Sequence, residues 1–260
     1  MSRVAVVTGA ARGMGAATVR RLAADGWSVV AVDRASDDPR LPYPMGTEAE
    51  LKSVVAAAGD RVIGVVADTC DALQLGSAVG RAEAEFGGVD AVLAVAGVIA
   101  GGVPLWEMPS AQLDAVLDVD LRGVIIAAQV GIPALLRRPA PRQGRFIAVA
   151  SAAATRGLPM LAAYCAAKAG VVGLVKALAM ELRGTGVTAN AVSPGSTDTP
   201  ILAESARLYG LPSAQVFAGQ QPVERLLDPA ELAATLAWLA STESSAITGA
   251  ALAADGGLSV

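Results

Sequence analysis

Apolar runs rich in valine and alanine recur at Val4–Val7, Val29–Val32, Val62–Val66, Ala91–Val95, Arg145–Val149 and Val187–Val192, each separated from the next by a segment able to form a helix. Runs without polar alternation suit strands covered on both faces, and strand–helix alternation predicts an α/β fold built on a doubly wound parallel sheet. From Gly15 to Asp25, Ala16, Val19, Leu22 and Ala23 follow helical spacing beside Arg20 and Arg21, and Gly26 can cap the end. The chain therefore opens with a strand–helix–strand unit of about thirty residues. No repeat, low-complexity tract or long polar linker divides residues 1–260, so one domain is expected. Two stretches break the rhythm: Ser36 to Leu51, carrying Pro39, Pro42, Pro44 and Gly46, and Pro200 to Pro222 before the final helix. The first is expected to be an insertion loop and the second a substrate lid, because long insertions in compact domains are often functional.

Composition changes this picture little. The chain is 53% hydrophobic and 17% charged, but much of the apolar content is scattered alanine. The most apolar stretch, Val124 to Leu136, is interrupted by Gln129, Gly131 and Pro133 and is shorter than the ~20 residues a bilayer demands. No membrane span is expected. Met1-Ser2-Arg3 leads straight into the first strand instead of a secretory apolar region, which places the protein in the cytoplasm as an expectation. Cys70 and Cys165 are far apart and the sequence has no histidine, so neither a Cys/His zinc set nor a Cys–His nucleophile pair can form; no metal site is expected. Both cysteines read as small buried core residues. A net charge of −4 without a Lys/Arg cluster argues against nucleic acid and leaves small molecules as the partner class.

Two constellations carry chemistry. Directly after the first strand, Thr8-Gly9-Ala10-Ala11-Arg12-Gly13-Met14-Gly15 leads into a helix. Glycines there let the chain turn tightly and bring a pyrophosphate against backbone N–H groups at the positive helix end. The second strand ends at Asp33, whose carboxylate can accept hydrogen bonds from adenosine ribose hydroxyls and would repel a 2′-phosphate, so NAD is preferred over NADP. Arg12 and Arg34 could partly offset that repulsion. Asp68 after the third strand can meet the adenine edge, or serve as a helix N-cap. In Tyr164-Cys165-Ala166-Ala167-Lys168 the tyrosine and lysine are four apart and share a helix face. A fixed ammonium there lowers the pKa of a phenol, ordinarily about 10, toward the range of a useful base. Ser151, at the end of the fifth strand, can hydrogen-bond a substrate oxygen and stabilise developing alkoxide charge.

Taken together, these residues resemble the short-chain dehydrogenase/reductase family over nearly the whole chain. The resemblance rests on the Thr8–Gly15 turn, Asp33, Asp68, Ala96-Gly97, Ser151 with Tyr164 and Lys168, Asn190, Pro194-Gly195 with Thr197 and Thr199, and Asp255-Gly256-Gly257. It implies a single-domain Rossmann fold that binds NAD, with Tyr164 as acid/base. Lys168 would bind the nicotinamide ribose and tune Tyr164, while Ser151 orients the substrate. Pro194, Gly195, Thr197 and Thr199 would hold the nicotinamide carboxamide. It further implies a homotetramer, with the segment near Ala250–Val260 contributing. Two positions depart from the family pattern. Ala94-Val95-Ala96-Gly97 stands where Asn-Asn-Ala-Gly is usual, giving up side-chain hydrogen bonds that tie the strand to its neighbours. Asp120, in Leu117-Asp118-Val119-Asp120-Leu121-Arg122-Gly123, replaces an asparagine that supports a water relay to the lysine. An ionised Asp120 would neutralise part of the charge acting on Tyr164; a purely structural role for it is equally open.

The insertion Ser36 to Leu51 is similar to that of mycofactocin-associated dehydrogenases, the branch that includes carveol-dehydrogenase-like enzymes, and the Ala-Val-Ala-Gly turn fits the same branch. That resemblance implies NAD held without ready exchange and mycofactocin as electron acceptor. Leu158, Pro159, Met160, Trp106 and the stretch from Leu202 to Phe217 supply apolar surface with few charged anchors, which suits a hydrophobic secondary alcohol or ketone. The competing readings are a conventional NAD(H)-exchanging ketoreductase, such as a 3-oxoacyl reductase, and a non-catalytic dinucleotide-binding sensor.

Overall fold

The computed structural model describes residues 2–260. Its elements run β1 (Val4–Thr8), α1 (Gly13–Ala24), β2 (Ser28–Asp33), α2 (Glu48–Ala58), β3 (Val62–Val66), α3 (Ala72–Phe86), β4 (Ala91–Ala94), α4 (Ser110–Leu117), α5 (Gly123–Arg137), β5 (Arg145–Val149), α6 (Ala162–Glu181), β6 (Thr188–Pro194), α7 (Pro200–Leu208), α8 (Pro229–Ala240) and β7 (Ala251–Ala254). The strands form one seven-stranded sheet in the order β3-β2-β1-β4-β5-β6-β7, and every pairing is parallel.

The central valine runs are strands because both sheet faces are covered there; β3, at the edge, is partly exposed. On one face Val4, Val6, Val30 and Val92 pack with Leu75 and Val79 of α3, Val124 of α5 and Val171 of α6. On the other, Ala5, Val7 and Val29 pack with Val19 and Leu22 of α1 and Leu232 and Leu236 of α8. The order reverses between β1 and β4, and at such a switch point the diverging crossovers leave a crevice at the carboxyl ends of the strands. Thr8, Asp33, Ala94, Val149 and Pro194 all end their strands there.

Three sequence expectations need correction. A seventh strand, β7, was not anticipated: Ala-Leu-Ala-Ala carries little β propensity, and it forms at the sheet edge through pairing with β6, from Ala191↔Ala251 to Pro194↔Ala254. The Ser36 to Leu51 insertion is loop only to Thr47. Thr47 then caps α2 in a reciprocal box with Glu50, whose backbone N–H donates to the Thr47 hydroxyl. Cys70 and Cys165 are partly exposed free thiols and not core residues. Two helical stretches, Ser110–Arg137 and Ala162–Glu181, are long and apolar enough to cross a bilayer by length and composition alone. Here both flank the sheet, and each buries a charged residue, Asp120 in the first and Lys168 in the second.

Candidate active site

The glycine turn does what its composition predicts. Gly9 (φ +68°) and Gly13 (φ +55°) adopt left-handed backbone conformations that side chains resist. A methyl on Gly9 would stand 2.7 Å from the Cα of Ala96, and one on Gly13 3.4 Å from Thr199 Cγ2. Arg12 precedes α1 in extended conformation, leaving the first N–H groups of the helix open to a phosphate. Gly9, Arg12, Gly13, Met14 and Gly15 line a cleft with Asp33, Arg34, Asp68, Ala96 and Gly97.

The carboxylate of Asp33 accepts from the N–H of Ala11 (3.0 Å) and of Ala35 (2.9 Å), which fixes it at the mouth of that cleft. Arg34 is occupied by carboxylates, and Arg12 is tethered to the insertion at one nitrogen. Arg34 pairs with Asp38 (3.0 Å) and faces Asp68 (3.5 Å), while Arg12 donates to the carbonyl of Pro44 (2.8 Å). Replacing Asp33 by serine is expected to cut the NAD-over-NADP preference in binding, measured on refolding or reconstitution with each dinucleotide, at least about tenfold, since one charge repulsion and its hydrogen bonds are lost; an unchanged ratio would show that discrimination lies elsewhere. Asp68 does not cap α3. That role belongs to Asp71, whose carboxylate accepts from the N–H groups of Leu73 and Gln74, and Asp68 lies on the cleft wall.

Thr8 compensates for the altered Ala94–Gly97 turn. Its buried hydroxyl accepts from the N–H groups of Val95 (3.0 Å) and Ala96 (3.1 Å), tying the end of β4 to β1. Asn190 is structural: its amide donates to Ile247 and accepts from Ala250, joining β6 to the approach of β7.

Ser151, Tyr164 and Lys168 open together onto a cavity of about 610 Å³ that Pro194, Gly195, Thr197 and Thr199 also line. Ser151 leaves β5 and caps a short helical turn through the N–H of Ala153. Lys168 is buried, donates to the carbonyl of Val149 (3.0 Å) and lies 5.6 Å from the centroid of the Tyr164 ring. Burial pushes the Tyr164 phenol up; the Lys168 ammonium pulls it back, Asp120 opposes that pull, and Ser151 aids it.

Asp120 is fully buried and forms an ion pair with Lys168 (Oδ1 to Nζ 3.2 Å), while the same oxygen accepts from the N–H of Val98 (3.1 Å). It sits in a π-helical segment, Asp118–Arg122, that interrupts the helix between α4 and α5. Gly97 permits the approach: a methyl there would lie 2.8 Å from Asp120 Oδ1. Burial raises the pKa of Asp120 against the pull of Lys168. Burial lowers the pKa of Lys168, and the charges of Asp120 and Tyr164 raise it, with a net upward direction.

At the substrate end, Leu158, Pro159, Leu202, Tyr209 and Phe217 line the cavity. Trp106 and Met160 do not; both are exposed elsewhere. Thr199 caps α7 with Pro200 in its first turn, and Tyr209 donates to the carbonyl of Pro159 (2.7 Å), pinning the lid to the opposite wall. Several contributors escaped the sequence reading. Buried Gln221 accepts from Ser196 N–H and donates to the Arg225 carbonyl, fastening the end of the lid to the Pro194–Thr199 loop. Tyr43 lies in the insertion, and its hydroxyl accepts from the N–H of Ile99 (2.8 Å). Arg156 reaches the cavity from the segment after Ser151. Lone polar residues in irregular segments have no spacing to announce them.

A glycine-lined cleft at the switch point, an acidic residue closing β2, and a serine–tyrosine–lysine set facing an apolar cavity define a dinucleotide-dependent oxidoreductase. Known proteins agree. A family model described as Enoyl-(Acyl carrier protein) reductase matches residues 9–259. The cis-4-hydroxycyclohexanecarboxylate dehydrogenase of Sinomonas cyclohexanicum is 38% identical, covering 98% of this chain and 96% of its own. Among solved structures, carveol dehydrogenase from Mycobacterium avium in complex with NAD superposes with a TM-score of 0.91 at 29% identity, over 98% of this chain and 97% of that one. The 3-ketoacyl-(acyl-carrier-protein) reductase of Brucella melitensis complexed with NADH gives 0.87 at 32% identity, over 99% and 98%. The chain belongs to the short-chain dehydrogenase/reductase family and is an NAD-dependent oxidoreductase of alcohol groups.

Proposed function

We propose that this enzyme oxidises a small, largely apolar secondary alcohol to its ketone, holds NAD without ready exchange, and passes the electrons to mycofactocin. One observation carries the retention: the insertion straps the cofactor cleft from bank to bank. On the glycine-turn side, Pro44 accepts from Arg12, and Gly46 packs so closely that a methyl there would stand 2.9 Å from Ala11 Cβ. On the far side Arg40 pairs with Asp118 (2.7 Å), Tyr43 accepts from Ile99, and Leu41 is buried with Val98, Val116 and Ala163. Asp38 knots the strap by accepting from Arg34 and Arg40, and the Arg40 hydrogen bonds above all hold its carboxyl down to about 2. Release of a dinucleotide through this face requires breaking those contacts together.

Gly9, Gly13, Asp33, Pro194 and Thr197 fit NAD, which when bound supplies the acceptor for the hydride leaving the carbinol carbon. The protein's part is the proton and the charge. Ser151 orients the alcohol oxygen, ionised Tyr164 Oη takes its proton as the C=O bond forms, and Lys168 stabilises the phenolate beforehand.

The test is to denature washed protein and quantify the nicotinamide dinucleotide released. Near-stoichiometric NAD is expected, with turnover of alcohols using an artificial acceptor. A double Arg40→Ala, Tyr43→Ala substitution is expected to lose most of it on washing. Absence of NAD from the washed wild type would sink the retention. The second reading, an NAD(H)-exchanging ketoreductase, is favoured by the likeness to the Brucella reductase and would show rapid turnover with free NADH. A sensor without catalysis has no use for a buried Lys168–Asp120 pair beside Tyr164. The homotetramer is part of the same proposal: α6 leaves Met180 71% exposed at its end and little of its length buried, a face that a second subunit would cover.

A further inference from the structure

The cavity of about 610 Å³ has charge among its lining residues only at Asp120, Lys168 and Arg156. The first two neutralise each other at 3.2 Å in the interior. Arg156 is different: its Nη1 donates to the carbonyl of Leu258 (2.6 Å), which holds the guanidinium beside the carboxyl-terminal segment, and among the described residues no carboxylate lies within 4.0 Å of it. Tethering at one nitrogen leaves the other donors of a planar fork uncommitted. Arg156 is itself exposed, and Leu158, Leu211 and Leu258 line the same cavity, so an anion entering it would find an unpaired cation at a partly apolar wall.

We infer that Arg156 is a specificity residue that anchors a carboxylate at one end of the substrate, whose hydroxyl is presented at the other end to Ser151 and Tyr164. The substrate class is then a hydroxy acid with an apolar, ring- or chain-like body, a narrower class than neutral alcohols. This rests on the alcohol-oxidation reading for the hydroxyl end alone; the anion end stands on binding.

The experiment measures calorimetric binding of cyclohexanecarboxylate and of its methyl ester, neither of which carries a hydroxyl to be oxidised, to the NAD-loaded enzyme. The acid is expected to bind about 10- to 100-fold more tightly than the ester, the range for a charged hydrogen-bonded pair. Arg156→Gln closes that gap and Arg156→Lys preserves part of it. Should Arg156→Gln fail to fold, the wild-type gap decides through its narrowing as ionic strength rises. Equal affinity for acid and ester in the wild type, or a gap undiminished in Arg156→Gln, overturns the anchor. A gap without turnover of any secondary alcohol would keep the anchor and remove the proposed secondary-alcohol oxidation; turnover without a gap would do the reverse.

Discussion

Tyr164→Phe is expected to lower kcat for alcohol oxidation by about 10²- to 10⁴-fold, the contribution of a positioned acid/base, with bound NAD and melting temperature close to the wild type. The reason lies in what the hydroxyl does and does not hold. The Tyr164 ring packs at the edge of the cluster formed by Val98, Ala163 and Ala167, and a phenylalanine keeps those contacts. Only Oη is lost, and with it the atom that takes the alcohol proton. Full activity in Tyr164→Phe would remove the tyrosine from the mechanism. Parallel loss of activity and NAD would instead mean that the hydroxyl also helps to hold the cofactor. Steady-state rates with an artificial acceptor, NAD content and thermal melting separate the three cases.

The parts of this site that were legible in the sequence are those where physics demands a residue type at a fixed spacing. A turn with left-handed backbone must be glycine, and Gly9 and Gly13 stand where the strand meets the helix. A phenol tuned by an ammonium must lie one helical turn from it, as Tyr164 and Lys168 do. The sheet was legible because buried parallel strands cannot alternate polarity, and the one strand missed, β7, is an alanine-rich edge with partial exposure. What stayed hidden is tertiary. The loop from Ser36 to Thr47 showed its prolines and a resemblance to a branch, but the pairing of Arg40 with Asp118 spans 78 residues and has no local sign. Arg156 has no local sequence sign, because its distinction is the absence of an acidic partner at a cavity wall. Met160 and Trp106 were assigned to the pocket on hydrophobicity alone, and an exposed apolar residue follows no such rule.

Asp120 divides into two variants with different consequences. Asp120→Leu removes one partner of a buried pair and leaves the Lys168 ammonium uncompensated, which typically costs about 3–5 kcal/mol; a large fall in thermal stability is expected. Asp120→Asn keeps an oxygen for the N–H of Val98 and a neutral acceptor for Lys168, so the fold should survive with a smaller loss. The charge, however, is gone. The groups that face this position are Lys168 and Tyr164 from α6, the Gly97–Val98 turn, and the buried phenol of Tyr43 from the strap, which Asp120 also pushes upward. Of these only Lys168 carries positive charge, and Asp120 offsets it at 3.2 Å. Removing the carboxylate deletes an influence that raises Tyr164 and leaves the lysine's lowering pull intact, so the folded-state pKa of Tyr164 falls. Oxidation needs the phenolate, and its rate rises with pH through that pKa. The rising limb of the rate profile for Asp120→Asn therefore moves to lower pH, and activity below the wild-type limb increases. Loss of the lysine proton would push the limb the opposite way, and the hydrogen bond from Lys168 to the Val149 carbonyl favours keeping it. A profile of kcat against pH, measured with NAD content unchanged, reads the result. An unmoved limb would make Asp120 a structural partner of the Val98 N–H, and a limb moved upward would mean that the aspartate holds the lysine proton in place.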